Sequence, residues 1–170
     1  MPESLPRGRK SARCDRINHR AAGTISRVDR RFEQFEHGAD VGVRGFGATP
    51  SEAFEAAAAA LFTLLSADLS RVRPAVSERI ALEAAALDEL LVAFLNELIS
   101  LSDARRLVFG RVSVSIEEAG GRFRLGAIAE GEPFDPERHE FTVVPKGASF
   151  TALRVVTEDG VWLAQCVVDV

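Results

Sequence analysis

The sequence predicts an α+β domain, two helices packed on a mixed, largely antiparallel β-sheet. Three observations carry that expectation. Two stretches repeat apolar residues at helical spacing, around Ala53–Leu64 and Leu87–Ile99. The chain beyond Leu107 alternates apolar and polar residues in segments broken by glycine turns. The helical stretches lie among the strands without the regular strand–helix alternation of a parallel sheet. A length of 170 residues with 46% apolar content suits one domain with a buried core.

The first element is Phe32–Glu36, which leads into the turn-like His37-Gly38-Ala39-Asp40. Val41–Gly47 then reads as a strand with small residues at alternate places, and its glycines mark another backbone or a ligand approaching closely. Thr49-Pro50-Ser51-Glu52 is a helix start: Thr49 caps, Pro50 suits the first position, and Glu52 stands where a capping-box acid belongs. The helix is expected to run to about Ala67, with Ala53, Phe54, Ala57, Leu61 and Leu64 toward the core. Beyond Pro74, Val76–Ala86 alternates in part as a strand. The second helix spans about Leu87–Asp103 and carries a broad apolar stripe of Leu87, Leu90, Leu91, Phe94, Leu95, Leu98 and Ile99. Asp88 and Glu89 in its first turn complement the helix dipole. Leu107–Glu118 and Arg122–Glu130 form a hairpin about Gly120-Gly121. After the rigid loop Gly131–Pro136 come strands at Phe141–Val144, Thr151–Thr157 and Trp162–Val168, the last two joined by the turn Asp159-Gly160.

Charge divides the chain. Residues 1–31 hold nine Arg or Lys against three acids, whereas the remainder holds 12 basic and 22 acidic residues. The basic segment reads as a solvated extension, outside a domain of residues 32–170. It has no apolar stretch of a secretory signal, and no run in the chain approaches the roughly 18 apolar residues of a membrane span. Cys14 and Cys166 give neither metal spacing nor a disulfide framework, so a reducing cytoplasm is the expected setting. Cys166 sits in an apolar run and reads as a small buried residue.

Chemistry-bearing residues are few. There is no phosphate-binding loop of the GxxxxGKS kind, and Gly42–Gly47 does not open a helix as such a loop must. Asp40 follows Glu36 and His37 in the turn before a strand; it serves either as a turn cap or as a ligand. Asp169 stands next to the last residue, Val170, either as a solvated end or as part of an anionic pair with the Val170 carboxylate. If Asp40 meets that pair, three anions require a cation between them, and calcium, magnesium or manganese take such oxygen ligands. Lys146 is the only lysine in residues 32–170, flanked by Pro145 and Gly147. It is a surface loop residue or a compact charge for a phosphate or carboxylate.

Four motifs in order resemble the archease family across residues 32–170. Glu36-His37-Gly38-Ala39-Asp40 is similar to its opening Glu/Asp-His-Thr-Ala-Asp. Leu95-Asn96-Glu97-Leu98 resembles the centre of its second helix, and Gly131-Glu132-Pro133 its Gly-Glu-Pro loop. Val168-Asp169-Val170 is similar to its Asp-apolar ending. The resemblance implies a cytoplasmic, non-catalytic activator of the RtcB-type RNA ligase of tRNA splicing and RNA repair, promoting guanylylation and multiple turnover. The ligase would be the direct partner, with GTP and RNA engaged through it. By position, Asp40, Asp169 and Val170 resemble the ligands of a divalent metal ion. Lys146, with Glu36 and His37 of the opening motif, resembles a contact to phosphate or partner. Three positions depart from the pattern: Gly38 replaces Thr, and Phe150 and Thr151 replace Tyr and His in the segment that begins at Lys146. Two other classes stand beside this reading, a small metal-dependent phosphoester hydrolase using Asp40 and His37, and a general chaperone or scaffold.

Overall fold

The computed structural model describes residues 31–139 and 143–170. Its elements are strands β1 (Phe32–His37) and β2 (Asp40–Gly47), helix α1 (Pro50–Phe62), a single 3₁₀ turn at Leu69–Arg71, strand β3 (Val76–Ala84), helix α2 (Leu87–Arg105), and strands β4 (Leu107–Ala119), β5 (Arg122–Pro133), β6 (Gly147–Glu158) and β7 (Val161–Asp169). The α+β class with two helices holds. The strands, however, divide between two sheets, ordered β1-β2-β7-β6 and β3-β5-β4, and every pairing is antiparallel.

The helices lie between the sheets, and their sequences explain why. Helix α1 is buried around most of its circumference: Ala53, Phe54, Ala56, Ala57, Ala58, Ala60, Leu61 and Phe62 are all out of solvent, and the stripe of Glu52, Glu55 and Ala59 reaches it. A helix apolar over so much of its surface needs cover from more than one side. One side of α1 lies on β2, where Gly45 and Gly47 admit it. A Cβ on Gly45 would collide with the backbone of Ala53 and Ala57, and one on Gly47 with Glu52 and Ala53. The glycines expected to mark close approach therefore do so. The other side meets β4, whose edge amides at Val114 and Ile116 donate to Glu55 Oε1 (2.9 Å) and Ser51 Oγ (3.1 Å). Stacked Phe54 and Phe94, 6.0 Å apart, join α1 to α2, and Phe62 meets Phe109 of β4 edge-on at 5.3 Å.

The Thr49 cap forms as the sequence predicts, with Thr49 Oγ1 accepting from the Glu52 amide at 3.2 Å. Glu52 reaches back to the Ala48 amide rather than to Thr49 itself, at 2.7 Å. Helix α1 ends at Phe62, five residues before the expected Ala67. Thr63 Oγ1 donates to Ala60 O (2.7 Å), and Leu64 and Leu65 bond three residues back, to Leu61 and Phe62. That tightens the chain out of the α-helix, while Leu64 and Leu65 stay buried and so still read as helical. Strand β6 begins at Gly147, four residues before expected. Of the strand expected at Phe141–Val144, residues 141 and 142 lie outside the described residues, and Val143 and Val144 are not in a strand. The basic segment lies outside the described residues except for Arg31, whose carbonyl accepts from Phe46 N at 2.8 Å. Among the described residues no helix is long and apolar enough to cross a membrane.

Candidate metal and partner site

Strand register assembles the site. Across β1–β2, His37 faces Asp40. Across β2–β7, Val41 faces Val168, so the next residues outward, Asp40 and Asp169, are neighbours at one end of the four-stranded sheet. Across β6–β7, Gly147 faces Asp169. Lys146, just before that strand, donates its amide to Asp169 O (2.8 Å) and its ammonium to Val170 O (2.9 Å). Asp40, Lys146, Asp169 and Val170, which the sequence singles out separately, thus meet at one sheet end.

Alternation fixes the face. Gly45 and Gly47 point at α1, so Asp40, Gly42 and Arg44 point away from it. Glu33, Phe35 and His37 share that outer face, whereas Gln34 turns to the helix side and donates to Ala60 O at 3.0 Å. Glu36 follows Gln34 to the helix side. His37 and Glu36 are both exposed, and His37 alone of the two shares the face of Asp40.

The neighbouring rows are firmly built. The Phe35 ring occupies the space where a Gly42 side chain would stand. Arg44 lies over that ring, 4.6 Å from its centroid, and pairs with Glu33 Oε1 (2.5 Å) and Gln165 Oε1 (2.8 Å). From the interior, Asn96 of α2 brackets the start of β6: its amide donates to Ala148 O and its carbonyl accepts from Ala148 N, both at 2.9 Å. This clamp sets the strand that follows Lys146.

Among the described residues no three His, Cys, Asp or Glu side chains close on a common point. The donor set at this end is therefore two carboxylates and the oxygen of Val170, all hard oxygen donors. Such a set fits a hydrated calcium, magnesium or manganese ion that keeps several waters. It does not fit zinc in a closed nitrogen and sulfur shell. Cys166, three positions before Asp169 in β7 and paired with Val43, is fully buried, its thiol pushed up to about 12 by burial, and is an inert core residue.

Residues 32–170 match the family model described as the Archease protein family (MTH1598/TM1083). The chain belongs to the archease family. Protein archease of Pyrococcus furiosus is 41% identical over 142 residues, which cover 83% of this chain and 99% of the relative. Protein archease of Thermococcus gammatolerans is 43% identical, covering 82% and 99%. The solution structure of Methanobacterium thermoautotrophicum protein 1598 superposes with a TM-score of 0.74 at 30% identity, over 83% of this chain and 99% of that one. The crystal structure of an archease from Thermotoga maritima, described as a possible chaperone, shares the fold at a TM-score of 0.51 and 14% identity, over 81% and 96%.

Two archease motifs carry residues to which sequence reasoning gave no role. One is Asn96 in Leu-Asn-Glu-Leu. Its signal was a polar residue set within an apolar helical stripe. The other is Glu132 of Gly-Glu-Pro, almost fully buried with His139. Glu132 accepts two bonds from Arg138 (2.9 Å each), one from Arg73 N (3.0 Å) and one from His139 Nε2 (3.1 Å). His139 Nδ1 accepts from Asp135 N at 2.9 Å, which leaves Nε2 to carry the hydrogen toward Glu132. The Arg138 bonds first, then the Arg73 amide, outweigh burial and hold the Glu132 carboxyl down at about 2. This cluster pins the 134–139 loop to the segment after the 3₁₀ turn. Both Glu132 oxygens are partnered within the cluster, and its work is structural.

Proposed function

We propose that this protein is a non-catalytic, divalent-metal-binding activator of an RtcB-type RNA ligase, acting in tRNA splicing or RNA repair. The observation that supports it most is the register that sets Asp40 beside Asp169, with Lys146 on the Val170 oxygen. Asp40, Asp169 and Val170 would hold the ion, calcium, magnesium or manganese. Like charges at one strand end repel unless a cation lies between them, which gives the pair its affinity for metal. The acidic domain then docks at the nucleotide pocket of the ligase, where the ion and carboxylates favour the guanylylated state. Such binding shifts the ligase toward a competent state without chemistry by the small protein. Lys146 contacts a phosphate or an acidic ligase residue, with His37 and Glu36 at the rim. Residues 32–170 carry the activity, and the basic segment is an extension to it.

The test is multiple-turnover RNA ligation by the cognate ligase with GTP and a divalent metal. Substoichiometric amounts of this protein are expected to stimulate turnover, and Asp169→Ala to abolish the stimulation. Unchanged stimulation by both Asp40→Ala and Asp169→Ala would falsify the mechanism. Two rival readings predict other outcomes. A hydrolase would turn over phosphoesters alone, and a general chaperone would serve many clients with the aspartates silent.

A further inference from the structure

Strand β6 pairs with β7 in two registers. Ser149 faces Val167 and Arg154 faces Gln165, so five steps along β6 answer two along β7. The three extra residues are pushed out as a wide bulge, and Phe150, Thr151 and Ala152 are exposed in succession. Phe150 is 66% exposed, the most of any large apolar residue among those described.

The bulge is held, not loose. Ala152 has a φ of 50°, a left-handed conformation that alanine disfavours. Its carbonyl accepts from Gln165 Nε2 at 2.9 Å, and Gln165 is buried and tied in turn to Arg44. At the other end Ser149 Oγ accepts from Thr151 N (3.3 Å) and donates to Val167 O (3.2 Å). Strained backbone braced by a buried side chain, used to display a phenylalanine to water, is a costly arrangement. Strain of this kind persists where the displayed group has work to do.

We propose that Phe150 is an aromatic anchor that inserts into an apolar pocket of a partner protein with a basic surface around that pocket. The inference rests on the ligase-activator reading and names the contact by which that partner is gripped. Phe150 stands three steps along β6 from Gly147, which faces Asp169, so it lies about 10 Å along the strand from the acidic pair. One interface of ordinary size covers both. The acidic excess of residues 32–170, 22 against 12, asks for a basic partner face. An aromatic ring beside complementary charge is the composition of an interface hot spot.

The experiment is direct binding of the full chain to the RtcB-type ligase by calorimetry, with melting temperatures and sedimentation of each variant. Phe150→Ala is expected to weaken binding about tenfold or more, mainly through faster dissociation. Its melting temperature stays within about 2 °C of the parent, because the ring is exposed. Phe150→Trp retains affinity within about threefold, and Ile128→Ala, an exposed apolar residue on the other sheet, changes nothing. Binding of Phe150→Ala within about twofold of the parent overturns the anchor while leaving the activator reading intact. An equal loss in Ile128→Ala also overturns it. So does a parent chain that self-associates through Phe150, which makes the bulge a contact between copies. A parent chain that does not bind the ligase at all overturns the activator reading, and the anchor with it.

Discussion

Replacing Glu132 by Gln should cost this domain a large part of its stability without touching the metal end. The carboxylate accepts four hydrogen bonds, two from Arg138 and one each from Arg73 N and His139. A Gln keeps one acceptor oxygen and turns an N–H toward at least one of those donors. Bonds to charged groups are worth about 1.5–3 kcal/mol each, so losing two points to about 3–6 kcal/mol. Arg138 is about one-third exposed (32%) and regains water once released, which lowers the figure. About 2–3 kcal/mol remains. For a domain of this size that is a fall in melting temperature of about 6–10 °C. The pH dependence has a definite sign. The folded state holds the Glu132 carboxyl at about 2 against the usual 4.5, so its stabilisation is complete above 4.5 and is lost as the pH falls through about 2. Scanning calorimetry of both proteins from pH 7 down to pH 2 is the assay. The gap between them should be full at pH 7 and narrow progressively below pH 4.5. A gap under about 2 °C at pH 7, or one that stays constant to pH 2, would refute the reasoning.

Two further perturbations test how the site is positioned. Asn96→Leu removes both bonds to the Ala148 backbone and leaves a buried amide and carbonyl unpaired, a cost of about 2 kcal/mol. It should also reduce stimulation of ligation by freeing the strand behind Lys146, whereas a variant that melts earlier yet stimulates fully would show that the clamp does not serve the site. Gly45→Ala puts a methyl group into the backbone of Ala53 and Ala57, and relief requires moving α1, at about 1–3 kcal/mol. Gly126→Ala has open space around the new methyl and should be neutral or slightly stabilising; equal melting temperatures for the two glycine variants would contradict the packing argument.

The elements that could be read in the sequence are those whose signals are local. Thr49, Pro50 and Glu52 act within one turn, and the cap forms where they stand. The hairpins at Gly120-Gly121 and Asp159-Gly160 need positive φ at both turn positions, and those residues supply it at 61° and 73°, and at 52° and 79°. What stayed hidden depends on distant partners. Leu64 and Leu65 keep helical spacing although their hydrogen bonds have left the α-helix, because both side chains are buried in the shared core. The division into two sheets was signalled only indirectly, by a helix apolar around most of its circumference, since a single sheet would cover only one side of it. The bulge at 150–153 has no glycine to announce it; it exists because Gln165, on another strand, supplies the bond that holds Ala152. The candidate site is the extreme case. Nothing in the spacing of Asp40 and Asp169, at opposite ends of the domain, brings them together. The pairing of Val41 with Val168 does, and it is selected by the apolar face that β2 and β7 jointly press on the helices. A one-residue slip in that pairing would turn Asp169 to the helix side and Val168 to the outer face. The register that buries the core is therefore the same register that builds the site, and selection for folding alone would keep the two aspartates adjacent.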